Sequence, residues 1–230
     1  VACIGGEVLV RGTHRRNVVP PVAFIQHLEE NGTIVEMGYY VMEKALSFIA
    51  QKQADAHEAF MYTLNISAVQ LNDPEFADHA LGIVETRQLH AAQLVFEITP
   101  GPIALNEAGL KNLQALQDEG INIAWDGVGS LEILRERLAC WEPDYIKLDR
   151  SCLACNRQEE TASILQLIAQ HDIDVIIEGV ENYTQISSML KQGVKYGQGY
   201  LFSRPISKES FQREYMQHQQ VKTHASSTLR

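Results

Sequence analysis

The sequence predicts an α/β fold, a TIM-like (β/α)8 barrel whose first strand is missing from the chain. Three observations predict it. Short apolar runs rich in β-branched residues alternate with longer amphipathic stretches along most of the 230 residues. The runs are apolar on both faces, as parallel strands covered by helices must be. Acids and amides recur at or near the C-terminal ends of these runs, the rim where barrel enzymes hold their chemistry.

The elements follow in order. Strands are expected over 3–12 (CIGGEVLVRG), 60–67 (FMYTLNIS), 94–99 (LVFEIT), 121–126 (INIAWD), 144–149 (DYIKLD), 174–179 (DVIIEG) and 196–202 (YGQGYLF). After 126 the sequence reads as a glycine-rich turn. Helical patterns cover 22–32, 33–51, 75–88, 104–118, 130–140, 157–171, 182–192 and 207–218. The seven strands are one short of a closed barrel, so a first strand is expected upstream. Residues 1–218 read as one barrel domain, and 219–230 as a polar tail without period.

Composition narrows the function. With 45% hydrophobic and 21% charged residues, the chain is an ordinary globular protein with a sizeable core. A net charge of −10 argues against binding a nucleic-acid polymer, which wants a basic face. It leaves room for a small anionic ligand, because metals or local arginines can invert the field inside a cleft. No apolar run reaches the roughly 18–20 residues of a membrane span, and no signal peptide opens the chain. The expectation is a cytoplasmic protein, or the cytoplasmic part of a larger, membrane-bound one. Of the four cysteines, only Cys152 and Cys155 form a C-x-x-C pair, and no second pair completes a zinc site.

The rim residues carry the argument. Glu7, Asn65, Glu97, Asp126, Asp149, Glu178 and Gln198 each come from a different strand and converge if the strands close into a barrel. An oxygen-rich set without histidine or thiolate suits a hard cation, Mg2+ or Mn2+. Lys147, two residues before Asp149, shares its face by strand alternation. It could hold a water, neutralise developing negative charge or buffer the acidic rim. Metals, a lysine and acids together suggest phosphoester hydrolysis by metal-activated water.

At this point the motifs carry a resemblance. Glu7-Val8-Leu9 in GEVLVRG, LNISAVQL (64–71), FEIT (96–99), DYIKLDRS (144–151), IIEGVEN (176–182) and GQGYLFSRP (197–205) together resemble the EAL domain, the cyclic di-GMP phosphodiesterase family of bacterial signalling. PPVAFIQHLEENG (20–32) also fits, and the likeness covers essentially the whole chain. It implies that Glu7, Asn65, Glu97 and Asp126 ligate a first divalent metal and that Asp149 serves a second. It gives Lys147, Glu178 and Glu7 to catalysis, Glu181 to support, and Leu9, Arg11, Gln198, Tyr200 and Pro205 to the ligand. Phe202 suits guanine stacking or plain packing equally. The resemblance also implies linkage to sensor or GGDEF domains, a homodimer, and Ca2+ as an ion that supports binding without turnover.

Two departures stand out. The family expects Asp-Asp-Phe-Gly-Thr-Gly, and this chain reads Asp126-Gly127-Val128-Gly129-Ser130-Leu131, so the second-metal aspartate is Gly127. The family's bracing glutamate, three residues after Glu97, is Pro100. Three readings follow. The first is a degenerate EAL domain that binds cyclic di-GMP with absent or reduced hydrolysis. The second is an active Mg2+/Mn2+ phosphodiesterase releasing pGpG. The third is a ligand-independent interaction module that docks through the altered 130–140 helix.

Overall fold

A computed structural model describes residues 2–15, 17–52, 60–99 and 104–216; Pro100 and the expected tail 219–230 lie outside the described residues. All seven expected strands are present: β1 (Gly5–Val8), β4 (Met61–Ile66), β5 (Leu94–Ile98), β6 (Asn122–Val128), β7 (Tyr145–Leu148), β8 (Asp174–Ile177) and β9 (Tyr196–Gly197). They form one parallel sheet in the order β1-β4-β5-β6-β7-β8-β9. A further antiparallel pair, β2 (Gly12–His14) and β3 (Asn17–Val19), makes a hairpin. Helices follow the sheet strands in the βα rhythm: α1 (Ile25–Glu30) and α2 (Ile34–Lys52) after the hairpin, then α3 (Ala68–Leu71), α4 (Phe76–Thr86), α5 (Glu107–Asp118), α6 (Leu131–Cys140), α7 (Gln158–Ile168), α8 (Tyr183–Lys191) and α9 (Lys208–Phe211).

β1 and β9 stand at opposite ends of the sheet order, yet the Gln198 amide just after β9 donates to Glu7 in β1 at 2.7 Å. The sheet therefore curls until its two ends meet at the rim. Alternation then sorts each strand. In β4, Tyr62, Leu64 and Ile66 turn into the apolar layer under the helices, while Asn65 on the other face stays exposed. The core lies in that layer, with Phe76, Phe96, Leu46, Leu113 and Trp125 fully buried. Burying an aromatic side chain of this size contributes about 1.5–3 kcal/mol. Trp125 also satisfies its indole by donating to the Trp141 carbonyl at 3.0 Å, with the Arg137 guanidinium over its ring.

Three elements differ from the sequence reading. The run 3–12 is not one strand; it ends at Val8, and the chain re-enters a hairpin whose tip carries Arg15 at φ 48°. Arginine in that left-handed conformation gives none of the usual Asn-Gly signal of a hairpin. The last strand ends at Gly197, because Gly199 packs against the Val180 backbone with no space for a Cβ and the chain turns away. β6 runs past Asp126 to Val128, so the expected turn is an irregularity within the strand. Its register shifts between Trp125 and Val128, and Gly127 takes φ 68°. Only glycine adopts that conformation without cost.

Candidate active site

The rim is organised around a buried lysine. Lys147 lies near the end of β7, and its side chain is 1% exposed. Its ammonium lies 2.8 Å from Glu97 Oε2 and 2.8 Å from Glu178 Oε1. Glu7 Oε2 at 3.5 Å and Asp126 Oδ1 at 3.7 Å complete the surround. Five strand ends thus deliver five charges to one point. The register explains how: Asn65 pairs with Glu97 across β4 and β5, and Glu7 pairs with Thr63, so the inward side chains form one layer.

Amides lock the carboxylates. Asn65 Nδ2 donates to Glu7 Oε1 at 2.7 Å, and Gln198 Nε2 donates to Glu7 Oε2 at 2.7 Å, so both Glu7 oxygens are held. Thr99 Oγ1 donates to Asp126 Oδ2 at 3.3 Å. Glu97 Oε1 and Asp126 Oδ1 are buried and accept no hydrogen bond. Buried polar atoms normally have a hydrogen-bond partner, so these two oxygens retain acceptor capacity, although Asp126 Oδ1 also faces the Lys147 ammonium.

Electrostatics point the same way. Burial would lower the Lys147 pKa, but the carboxylates of Glu97, Glu7, Glu178 and Asp126 outweigh it and raise it, so the lysine stays charged. Burial pushes the Glu97 carboxyl up to about 7 against the pull of Lys147, and it raises Glu178 as well. Four carboxylates share a single ammonium, which leaves three negative charges uncompensated when all are ionised. Near neutral pH, a proton on Glu97 offsets one of these charges, and a divalent cation would offset two.

A divalent cation would offset most of that deficit. The donors are oxygens, two of them accept no hydrogen bond, and the local charge is negative. Glu7, Asn65, Glu97 and Asp126 are the residues that would hold it. Among the described residues, however, no three His, Cys, Asp or Glu side chains form a ready cage, because the carboxylates converge on Lys147 instead.

The far side of the rim is built differently. Asp149 follows β7 and caps the next turn: its Oδ1 accepts from the Ser151 amide at 2.8 Å. Burial would raise its pKa, but Ser151 and the neighbouring Arg150 charge outweigh it and hold the carboxyl low. Opposite stands Gly127, where an added Cβ would meet nothing within 4 Å. No carboxylate faces Asp149 from that position.

The remaining expected residues lie outside the cluster. Leu9, Arg11, Tyr200 and Pro205 are exposed near the rim. Arg11 donates to the Val10 carbonyl at 2.8 Å, and Arg204 stands 4.4 Å over the Tyr200 ring. Phe202 is 38% exposed, and its ring tip lies against Gly197. Glu181 is exposed, and its backbone amide bonds Gln185 at 2.8 Å, so its side chain does not join the cluster. Sequence reasoning overlooked Thr99 and Ser151. Ser151 was findable, since Asp-x-Ser after a strand is an Asx-turn pattern; Thr99 carried no signal.

The family model described as EAL domain matches residues 2–205. The chain belongs to the EAL domain family. Over 212 residues this EAL domain is 30% identical to the probable cyclic di-GMP phosphodiesterase PdeI of Escherichia coli (strain K12), covering 89% of the chain and 27% of PdeI. It is 27% identical to the cyclic di-GMP phosphodiesterase PdeL of the same organism, over 92% of the chain and 60% of PdeL. The chain thus spans less than two thirds of the length of both curated relatives. Its fold matches the crystal structure of an EAL domain protein from Listeria monocytogenes EGD-e at TM-score 0.80 and 26% identity, over 92% of the chain and 85% of that protein. Among the described residues of this EAL domain, no helix is long and apolar enough to cross a membrane.

Proposed function

We propose that this EAL domain binds cyclic di-GMP at the strand-exit rim and hydrolyses it slowly or not at all. Gly127 carries the reading. Hydrolysis with two metals needs ligands for both ions, and the position beside Asp126 offers only a backbone and open space. The relatives' names give cyclic di-GMP as the class of ligand.

In this reading Glu7, Asn65, Glu97 and Asp126 hold one Mg2+ or Mn2+, using first the two carboxylate oxygens that accept no hydrogen bond. That ion, when bound, supplies charge stabilisation and a more acidic water. Lys147 holds Glu97 and Glu178 in place and keeps a positive charge beside the phosphate. Gln198 acts through Glu7, since its amide is already engaged there. Arg11 pairs with a phosphate or a guanine acceptor, while Leu9, Tyr200 and Pro205 supply exposed surface for a base. Asp149 keeps one oxygen for a second ion, which it would hold weakly alone.

A second reading, an active phosphodiesterase, is favoured by one observation: Glu7, Glu97, Asp126 and Glu178 are all gathered within reach of Lys147, and Asp149 is kept after β7. Calorimetry with cyclic di-GMP in Ca2+, followed by product analysis in Mn2+, separates the two. Saturable heat with no pGpG above a Glu7→Ala control is expected. Steady pGpG release would favour the second reading. Absence of heat at tens of micromolar ligand would remove both and leave a protein-interaction module.

A further inference from the structure

Arg157, the residue just before α7, makes contacts that none of the roles above uses. Its Nη2 donates to the Gly129 carbonyl at 2.6 Å and its Nη1 to Ser151 Oγ at 2.7 Å. Nε and Nη2 also meet Glu160 Oε2, at 3.1 and 2.7 Å. One planar fork therefore ties together three segments: the exit of β6, the turn that carries Asp149, and the start of α7. The side chain is 28% exposed.

The location matters more than the count of bonds. Gly129 is the residue before Ser130, whose hydroxyl accepts from the Ile133 amide and starts α6. It lies flat on the Asp149 turn, where an added Cβ would come within 3.3 Å of Ser151 Oγ and 3.5 Å of Asp149 Cβ. The backbone holds this junction at one further point, Asp149 N to Val128 O at 3.0 Å. Between that point and Asp126 stands Gly127, which fixes nothing by itself. How Asp126 faces Asp149 thus depends on what anchors the strand just beyond the glycine.

We propose that Arg157 is a positioning residue that braces the 126–130 segment over Asp149 and sets the spacing of the two halves of the rim. It touches neither ligand nor metal and acts through Gly129 and Ser151. The proposal rests on the ligand-binding reading for its functional readout and on the bonds alone for its structural one. Guanidinium is required, because a lysine ammonium cannot reach both acceptors in one plane.

The test has two arms. In hydrogen exchange, Arg157→Ala is expected to speed the amides of 127–134 about tenfold, with 61–66 unchanged. In calorimetry with cyclic di-GMP and Ca2+, the same variant is expected to weaken binding about 10-fold, the scale of losing an outer partner of a site. Glu160→Gln, which leaves the Gly129 and Ser151 bonds, is expected to change either value by no more than about twofold. Arg157→Lys is expected to behave like the alanine variant and serves if that variant is unstable. Wild-type exchange in Arg157→Ala or in Arg157→Lys would overturn the proposal, as would an equal effect from Glu160→Gln. If the wild type binds no cyclic di-GMP, the ligand reading fails, and the exchange arm still decides the role of Arg157.

Discussion

The two sides of the rim are made from the same residue types and behave differently. On the side of β1, β4, β5 and β8, the carboxylates are buried or half-buried and share Lys147, and Asn65 and Gln198 fix Glu7 among them. On the side of Gly127 and Asp149, one carboxylate turns to its own backbone and the partner position is empty of side chain. A crowded acid cluster is costly unless a cation offsets it. In the proposed reading a bound cation offsets it on the first side, whereas the carboxylate of the second side caps its own turn. Binding and hydrolysis can therefore separate in one fold.

Lys147→Met is the most severe way to break the comparison. It leaves four acids around no cation and is expected to cost about 3–5 kcal/mol, the scale of breaking a buried pair. Chemical denaturation in EDTA measures it. Asp149→Ala, by contrast, removes a turn cap and is expected to cost about 1 kcal/mol, as cap deletions do. Equal losses would erase the distinction between the two sides.

Gly127→Asp sharpens it from the other direction. The space is open, and the φ of 68° strains an aspartate by about 1–2 kcal/mol. The added carboxylate is expected to raise pGpG release in Mn2+ by more than about 10-fold, since even outer partners of a metal are worth 10–100-fold. No gain would place the defect in the altered segment after 129 rather than in the missing ligand.

The pH dependence of metal binding follows from Glu97. Its pKa of about 7 in the metal-free protein means that below this value a cation must displace a proton. Mn2+ affinity, followed by electron paramagnetic resonance, is expected to fall by up to about 10-fold per pH unit between pH 7 and 5. It is expected to level off above pH 8, and a flat profile would remove Glu97 from the metal site. Thr99→Ala, which takes one long hydrogen bond from Asp126, is expected to change stability by less than about 0.5 kcal/mol.

Much of this was legible in the sequence. Strand-end acids such as Glu97 and Glu178 stand out because apolar parallel strands leave no other reason for them. The convergence on Lys147 was only half legible. Period-two alternation put Lys147 and Asp149 on one face, yet the strand ends at Leu148 and Asp149 bends into a cap, so the lysine joins the other acids instead. The hairpin at 12–19 was hidden because Arg15 carries a conformation that glycine or asparagine usually announces. Arg157 was hidden for a different reason: its partners are a carbonyl and a hydroxyl, and backbone acceptors leave no mark in a sequence.

Product analysis decides whether this rim holds its ligand or cuts it. The purified chain is incubated with cyclic di-GMP and Mn2+, and bound nucleotide and pGpG are quantified together, with Glu7→Ala as control. Saturable binding that Glu7→Ala weakens, with pGpG no faster than in that control, is the predicted result. Steady turnover above the control, or no binding at all, would contradict it.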